Sequence, residues 1–173
     1  MTFMIAIGLS VTSMIRVGNQ KGLENYRELR RIAMSIFLLA MILATFFALL
    51  FFAFRHQLPK VYVDFDDVVN FTDNIEVVNI ATQLLFIAAI FQVSDSIQVV
   101  VLGALRGLQD VKIPTLITFI AYWAVGFPIS YFFGKGDSLG SFGIWLGLLA
   151  GLSTASVLLF IRFHYLTSKL IRD

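Results

Sequence analysis

Val77–Leu105 reads VVNIATQLLFIAAIFQVSDSIQVVVLGAL and holds one charge, Asp95. A helix rising 1.5 Å per residue needs about 20 residues to cross a hydrocarbon core of about 30 Å. This stretch is longer than that. It shows no alternation of apolar and polar residues, so it reads as a spanning helix and not as a barrel strand.

The rest of the chain has the same character. Of 173 residues, 58% are hydrophobic and 14% charged, with mean hydropathy +0.86. A soluble domain carries about a quarter charged residues, and the 18 Phe suit lipid better than a small aqueous core. Five apolar runs appear at 1–15, 32–54, 77–105, 113–133 and 142–163. The expected fold is all-α, a polytopic transmembrane helix bundle. The first run is short and starts at Met1 without the basic opening of a signal peptide, so its natural beginning is expected upstream.

Ten of the 13 Lys and Arg fall in alternate connections and the tail: Arg16, Lys21, Arg27, Arg30, Arg31, Arg106, Lys112, Arg162, Lys169 and Arg172. The opposite side has Arg55, Lys60 and Lys135 among many acids. The positive-inside rule then places the C-terminus in the cytoplasm. A net charge of +2 gives no reason to expect a nucleic-acid partner, and the absence of cysteine removes disulfides and thiolate chemistry.

Several local features carry less. The acidic run Asp64, Asp66 and Asp67 lacks the spacing and glycine of a calcium loop. Asn70 opens a three-residue glycosylation pattern that is common by chance. Neither is assigned a role. Gly143, Gly147 and Gly151, followed by Ala155, recur every four residues and line one helix face for close packing. Pro114 suits a first helical turn. Pro128 falls inside a span and should bend it, as a hinge or a fixed kink.

Asp95 is the exception that asks for a function. It lies eleven residues before Arg106, about 16 Å along a helix and so near the bilayer midplane. Placing a charge there costs on the order of 3 kcal/mol, and such acids face bundle interiors or water-filled paths. Gln92 and Gln98 fall 60° to either side of it, with Ser94 and Ser96 further round. A sodium ion and a proton would compete for this carboxylate, the basis of ion-coupled transport. The alternative is an acid serving as hydrogen-bonding glue between helices. An enzyme would have to work through Ser153, His164 or His56, and no hydrolase or zinc-protease pattern accompanies them. No enzymatic activity, cofactor or metal beyond sodium at Asp95 is expected.

The segments SMIRVGNQKG, FQVSDSIQVVVLGALRGLQDVKIPTLITFIAYWAVGFPISY and GIWLGLLAGL, in this order, resemble the MATE family, the multidrug and toxic compound extrusion transporters, and its NorM-like branch in particular. The resemblance covers nearly the whole chain. It implies two six-helix lobes in the whole transporter, with this chain supplying the eighth to twelfth helices of the C-terminal lobe. It also implies export of cationic amphipathic drugs in exchange for sodium or protons, across a bacterial inner membrane. Asp95 matches the tenth-helix aspartate that binds cations. Arg106, Gly107 and Asp110 match the family's LRGLGD loop, with Gln109 in place of a glycine, and Arg16, Val17 and Gly18 match the loop after the eighth helix. By the same match Gly18 and Gly107 should permit tight turns and Arg16 and Arg106 anchor the cytoplasmic face. The first lobe and the acid-bearing seventh helix are the partners this chain would need. A lipid-linked oligosaccharide flippase of the same superfamily, or a non-transporting assembly protein, are the other readings. Flippase cavities are basic, whereas the midplane charge here is negative.

Overall fold

The structure is a computed structural model describing residues 2–55, 57–58, 71–135 and 140–172. The acidic run at 64–67, Asn70, Lys60 and His56 lie outside these residues. Helix α1 covers Thr2–Gly22, α2 Tyr26–Phe54 and α3 Phe71–Gly107. The next span consists of α4, Lys112–Ile120, a π-helical turn over Ala121–Gly126, and α5, Phe127–Gly134. Helix α6 runs from Gly140 to Arg172. No strand occurs among the described residues, and five segments are long and apolar enough to cross a membrane.

Helix α3 is the axis of the bundle, with α1, α2 and α6 packed around it and the fourth span leaning on α6. Near the basic end, Val17, Leu29, Phe37, Val101, Leu105 and Phe163 form one buried cluster. Phe37 meets the Phe163 ring edge-on, with centroids 5.2 Å apart, a geometry that adds roughly 0.5–1.5 kcal/mol to the burial itself. Outward-facing Leu49, Phe46 and Phe132 remain exposed, as expected where lipid tails replace water as solvent.

The helices outrun their apolar segments at the basic end. Helix α1 continues seven residues past the first run and α6 nine past the last, so about two turns stand clear of the hydrocarbon. The connection between the first two apolar runs, residues 16–31, is helical except for three residues, Leu23–Asn25. Its bonds explain the tight exit. Asn25 N–H donates to Gln20 O and Glu24 N–H to Lys21 O, with Glu24 at φ 56°. This is a Schellman stop with a left-handed residue after the helix. Asn25 then caps α2 by accepting from Glu28 N–H at 3.3 Å. Helix α3 ends in the same way: Asp110 N–H donates to Leu105 O and Gln109 N–H to Arg106 O. Gln109 sits at φ 63°, a left-handed conformation that glycine adopts without steric cost.

Gly18 and Gly107 are therefore not turn residues, contrary to the sequence expectation. Both lie within helices, at the crossing of α1 and α3. A Cβ on Gly107 would come within 2.5 Å of Met14 O, and one on Gly103 would collide with the Ser10 backbone carbonyl. Pro128 behaves differently from a simple kink as well. Its ring lacks an N–H and crowds the carbonyl four residues back, and the span has a π turn immediately before α5. There the Phe127 N–H reaches Tyr122 O, five residues away.

Gly143, Gly147 and Gly151 point at α5 and the π turn, where added Cβ atoms would strike Phe133, Ser130 and Gly126. Ser130 Oγ donates to Ile144 O at 3.1 Å across the same seam. The small-residue face is used inside the lobe. Pro114 is buried in the first turn of α4, where the missing N–H has no intrahelical partner to lose.

Candidate cation site

Asp95 lies on α3 twelve residues before its end at Gly107, half-buried. Gln92 Oε1 accepts from Thr2 Oγ1 of α1 at 3.1 Å. Gln98 is buried, and its Oε1 accepts from the Tyr122 hydroxyl of the π turn at 3.3 Å. One amide thus turns towards α1 and the other towards the fourth span, and Asp95 projects between them. Helix α1 packs on α3 and α2 but has no substantial contact with the fourth span, so this direction is an open groove.

Among the described residues the Asp95 carboxylate takes no hydrogen bond and no ion pair. It is not locked in a dry contact with a neighbouring helix. Each glutamine oxygen keeps a second lone pair after accepting one bond, so each amide can accept a further donor or cation on its own side of Asp95. The flanking serines face away. Ser94 Oγ lies 3.1 Å from Ser153 Oγ on α6, and Ser156 Oγ donates to Ser94 O at 2.7 Å. Ser96 is buried against α1 and α2 beside a small void lined by Thr2, Ala6 and Ala44.

The residues matched to family loops gather at the basic end. Arg16 and Arg106 are exposed, without an ion pair among the described residues. Asp110 instead binds Arg162 of α6, Oδ2 to Nε at 2.9 Å, with side chains only 16% and 22% exposed. Lys21 Nζ donates to Leu108 O at 2.8 Å and to Gln109 Oε1 at 3.1 Å, tying α1 to the end of α3. Sequence reasoning missed Arg162, Lys21 and Tyr122. A phenol inside an apolar span and a lone acid, Asp110, amid basic residues were the available signals. Ser153 and His164 are each engaged elsewhere, His164 with Arg30 at 2.9 Å, and sit eleven residues apart on α6, about 16 Å.

Together, five helices long and apolar enough to cross a membrane, one of them carrying a half-buried acid, define a multi-pass membrane protein. Residues 1–132 match the MatE family model. The chain is 36% identical over 165 residues to a probable multidrug resistance protein NorM of Rhodopseudomonas palustris, covering 95% of this chain and 34% of that protein. It is 39% identical over 171 residues to the multidrug resistance protein NorM of Vibrio vulnificus, covering 96% and 35%. With the multidrug resistance protein MdtK of Proteus mirabilis the identity is 33% over 168 residues, covering 95% and 35%. The chain belongs to the MatE family, on its NorM-like branch, and spans about a third of the length of these curated relatives.

Proposed function

We propose that this chain forms most of the C-terminal lobe of an antiporter that exports cationic, amphipathic drugs in exchange for sodium or protons, with Asp95 as the coupling group. The observation that supports the reading is a half-buried carboxylate inside an apolar span, without a hydrogen bond or ion pair among the described residues and flanked by Gln92 and Gln98. A structural acid would be expected to spend its lone pairs on a neighbouring helix. One left unpaired costs free energy unless a mobile cation visits it. Sodium or a proton neutralises the carboxylate, whereas a cationic drug is attracted to its charged form. Occupancy by the ion therefore disfavours the drug, and exchange follows if the two faces of the membrane differ in ion activity. The names of the relatives as multidrug resistance proteins support the substrate class.

The remaining helices of the same transporter are the partners, and they would close the groove in front of Asp95. The excess of basic residues on one side supports a cytoplasmic C-terminus in a bacterial inner membrane. The test is Asp95→Asn in the full-length transporter, read as ethidium efflux from cells driven by a sodium or proton gradient. Efflux should fall to the background of cells lacking the transporter, with membrane abundance unchanged. Efflux at the unmutated rate would remove Asp95 from the coupling role. Loss of the protein from the membrane would assign the acid to packing.

A further inference from the structure

The basic end of α6 has two sides with opposite electrostatics. On one, Arg162 is neutralised by Asp110. On the other, Arg30 of α2 reaches across to His164 and Ser168, with Nη2 2.9 Å from Nδ1 and Nη1 3.3 Å from Ser168 Oγ. His164 and Ser168 line a groove with Ile161, Tyr165, Lys169 and Arg172. Arg30, Lys169 and Arg172 form no ion pair with any carboxylate among the described residues. Arg30 meets His164 and Ser168 there and no carboxylate among the described residues, so its charge is positioned without being cancelled.

The lining changes character along the helix. Towards the middle of the span it continues onto exposed Ile161 and Val157, and Tyr165 is 61% exposed where the apolar run ends. An aromatic ring at that level is typical of the membrane–water interface. The groove thus offers cations to a headgroup, and an apolar track to a chain leading into the bilayer. Free phosphate would use the first and have no use for the second. On α3, Gln92 and Gln98 flank the direction of Asp95 towards α1 and the fourth span, whereas α2 and α6 meet each other on another side of α3. This groove is separate from the cation site.

We infer that the Arg30–His164–Lys169–Arg172 groove binds the anionic phosphate headgroup of a phospholipid, with an acyl chain along Ile161 and Val157. A phosphodiester accepts charge-assisted hydrogen bonds from guanidinium and ammonium groups, and basic pockets between helices at the headgroup level select anionic lipids. The inference rests on the membrane-spanning fold and not on the transport reading.

The experiment is native mass spectrometry of the full chain, released from neutral detergent with equal amounts of phosphatidylglycerol and phosphatidylcholine. Phosphatidylglycerol should be retained on the order of tenfold over phosphatidylcholine, from about fivefold per surface cation. The double variant Lys169→Gln/Arg172→Gln should lose that preference. The variant Arg27→Gln/Lys112→Gln, which removes two charges elsewhere at the same end, should keep it. Tyr165→Glu, at an exposed position, should abolish retention independently if the double variant misfolds. Equal losses in both double variants would mean a bulk charge effect and overturn the site. So would unchanged preference in Lys169→Gln/Arg172→Gln, or displacement of the lipid by millimolar inorganic phosphate, which would leave an anion site without a lipid.

Discussion

The two sides of α1 differ in how tightly they are closed. Against α3, α1 comes close enough that Gly103 and Gly107 have no room for a Cβ, and Ser10 Oγ donates to Val99 O at 2.8 Å across the seam. Lys21 then ties α1 to the end of α3. Towards the fourth span there is no such closure, and Asp95 stands there without a hydrogen bond or ion pair among the described residues. The seam pairs Ser10 and Lys21 within itself, although Ser13 Oγ of α1 is buried without a partner among the described residues, while Asp95 on the other side stays half-exposed and unpaired among them. The contrast separates residues that hold the helices together from a carboxylate that bonds to none of them among the described residues.

The largest expected effect comes from breaking the seam. Gly103→Val forces a branched side chain into the Ser10 carbonyl and should cost about 2–3 kcal/mol. Thermal unfolding in detergent would show it, and an unchanged melting temperature would mean the helices cross elsewhere. Next is the Asp110–Arg162 pair, partly buried at the tied end. Removing either partner should cost about 1–2 kcal/mol, between exposed and fully buried pairs. A double-mutant cycle with Asp110→Asn and Arg162→Gln should recover a coupling energy of at least about 0.5 kcal/mol. Gln109→Gly should act in the opposite direction, raising stability by about 0.5–1 kcal/mol by relieving a left-handed side chain, less the exposed bond to Lys21. The smallest shift belongs to the groove. Asp95→Asn removes a group that no described side chain pairs, so the same melting assay should move by less than about 0.5 kcal/mol even where efflux is lost.

The spans were legible because lipid imposes a coarse rule, long apolar runs, which survives without knowledge of packing. The family was legible in the motifs around Asp95 and Arg106. The four-residue repeat of Gly143, Gly147 and Gly151 was legible for a similar reason, since helical spacing alone puts small residues on one face. Helix ends were not. The apolar runs stop at Ile15 and Phe163 while the helices continue to Gly22 and Arg172, because turns beyond the apolar segment need no apolar face to mark them. The roles of Gly18 and Gly107 were hidden because a glycine near a helix end fits a turn and a crossing equally well. The left-handed positions went instead to Glu24 and Gln109, which carry side chains and advertise nothing. The Asp110–Arg162 pair joins residues 52 apart in sequence, and only the packing of α6 on α3 brings them together.

The widened turn over Ala121–Gly126 also sets a phase. It amounts to one residue too many in the spiral, and each residue of an α-helix accounts for about 100° of rotation. The halves of the span are therefore out of step. Tyr122 is aimed at Gln98 on α3, while Gly126 and Ser130 stay aimed at the glycines of α6. A single continuous helix of this sequence would have to choose between those two neighbours.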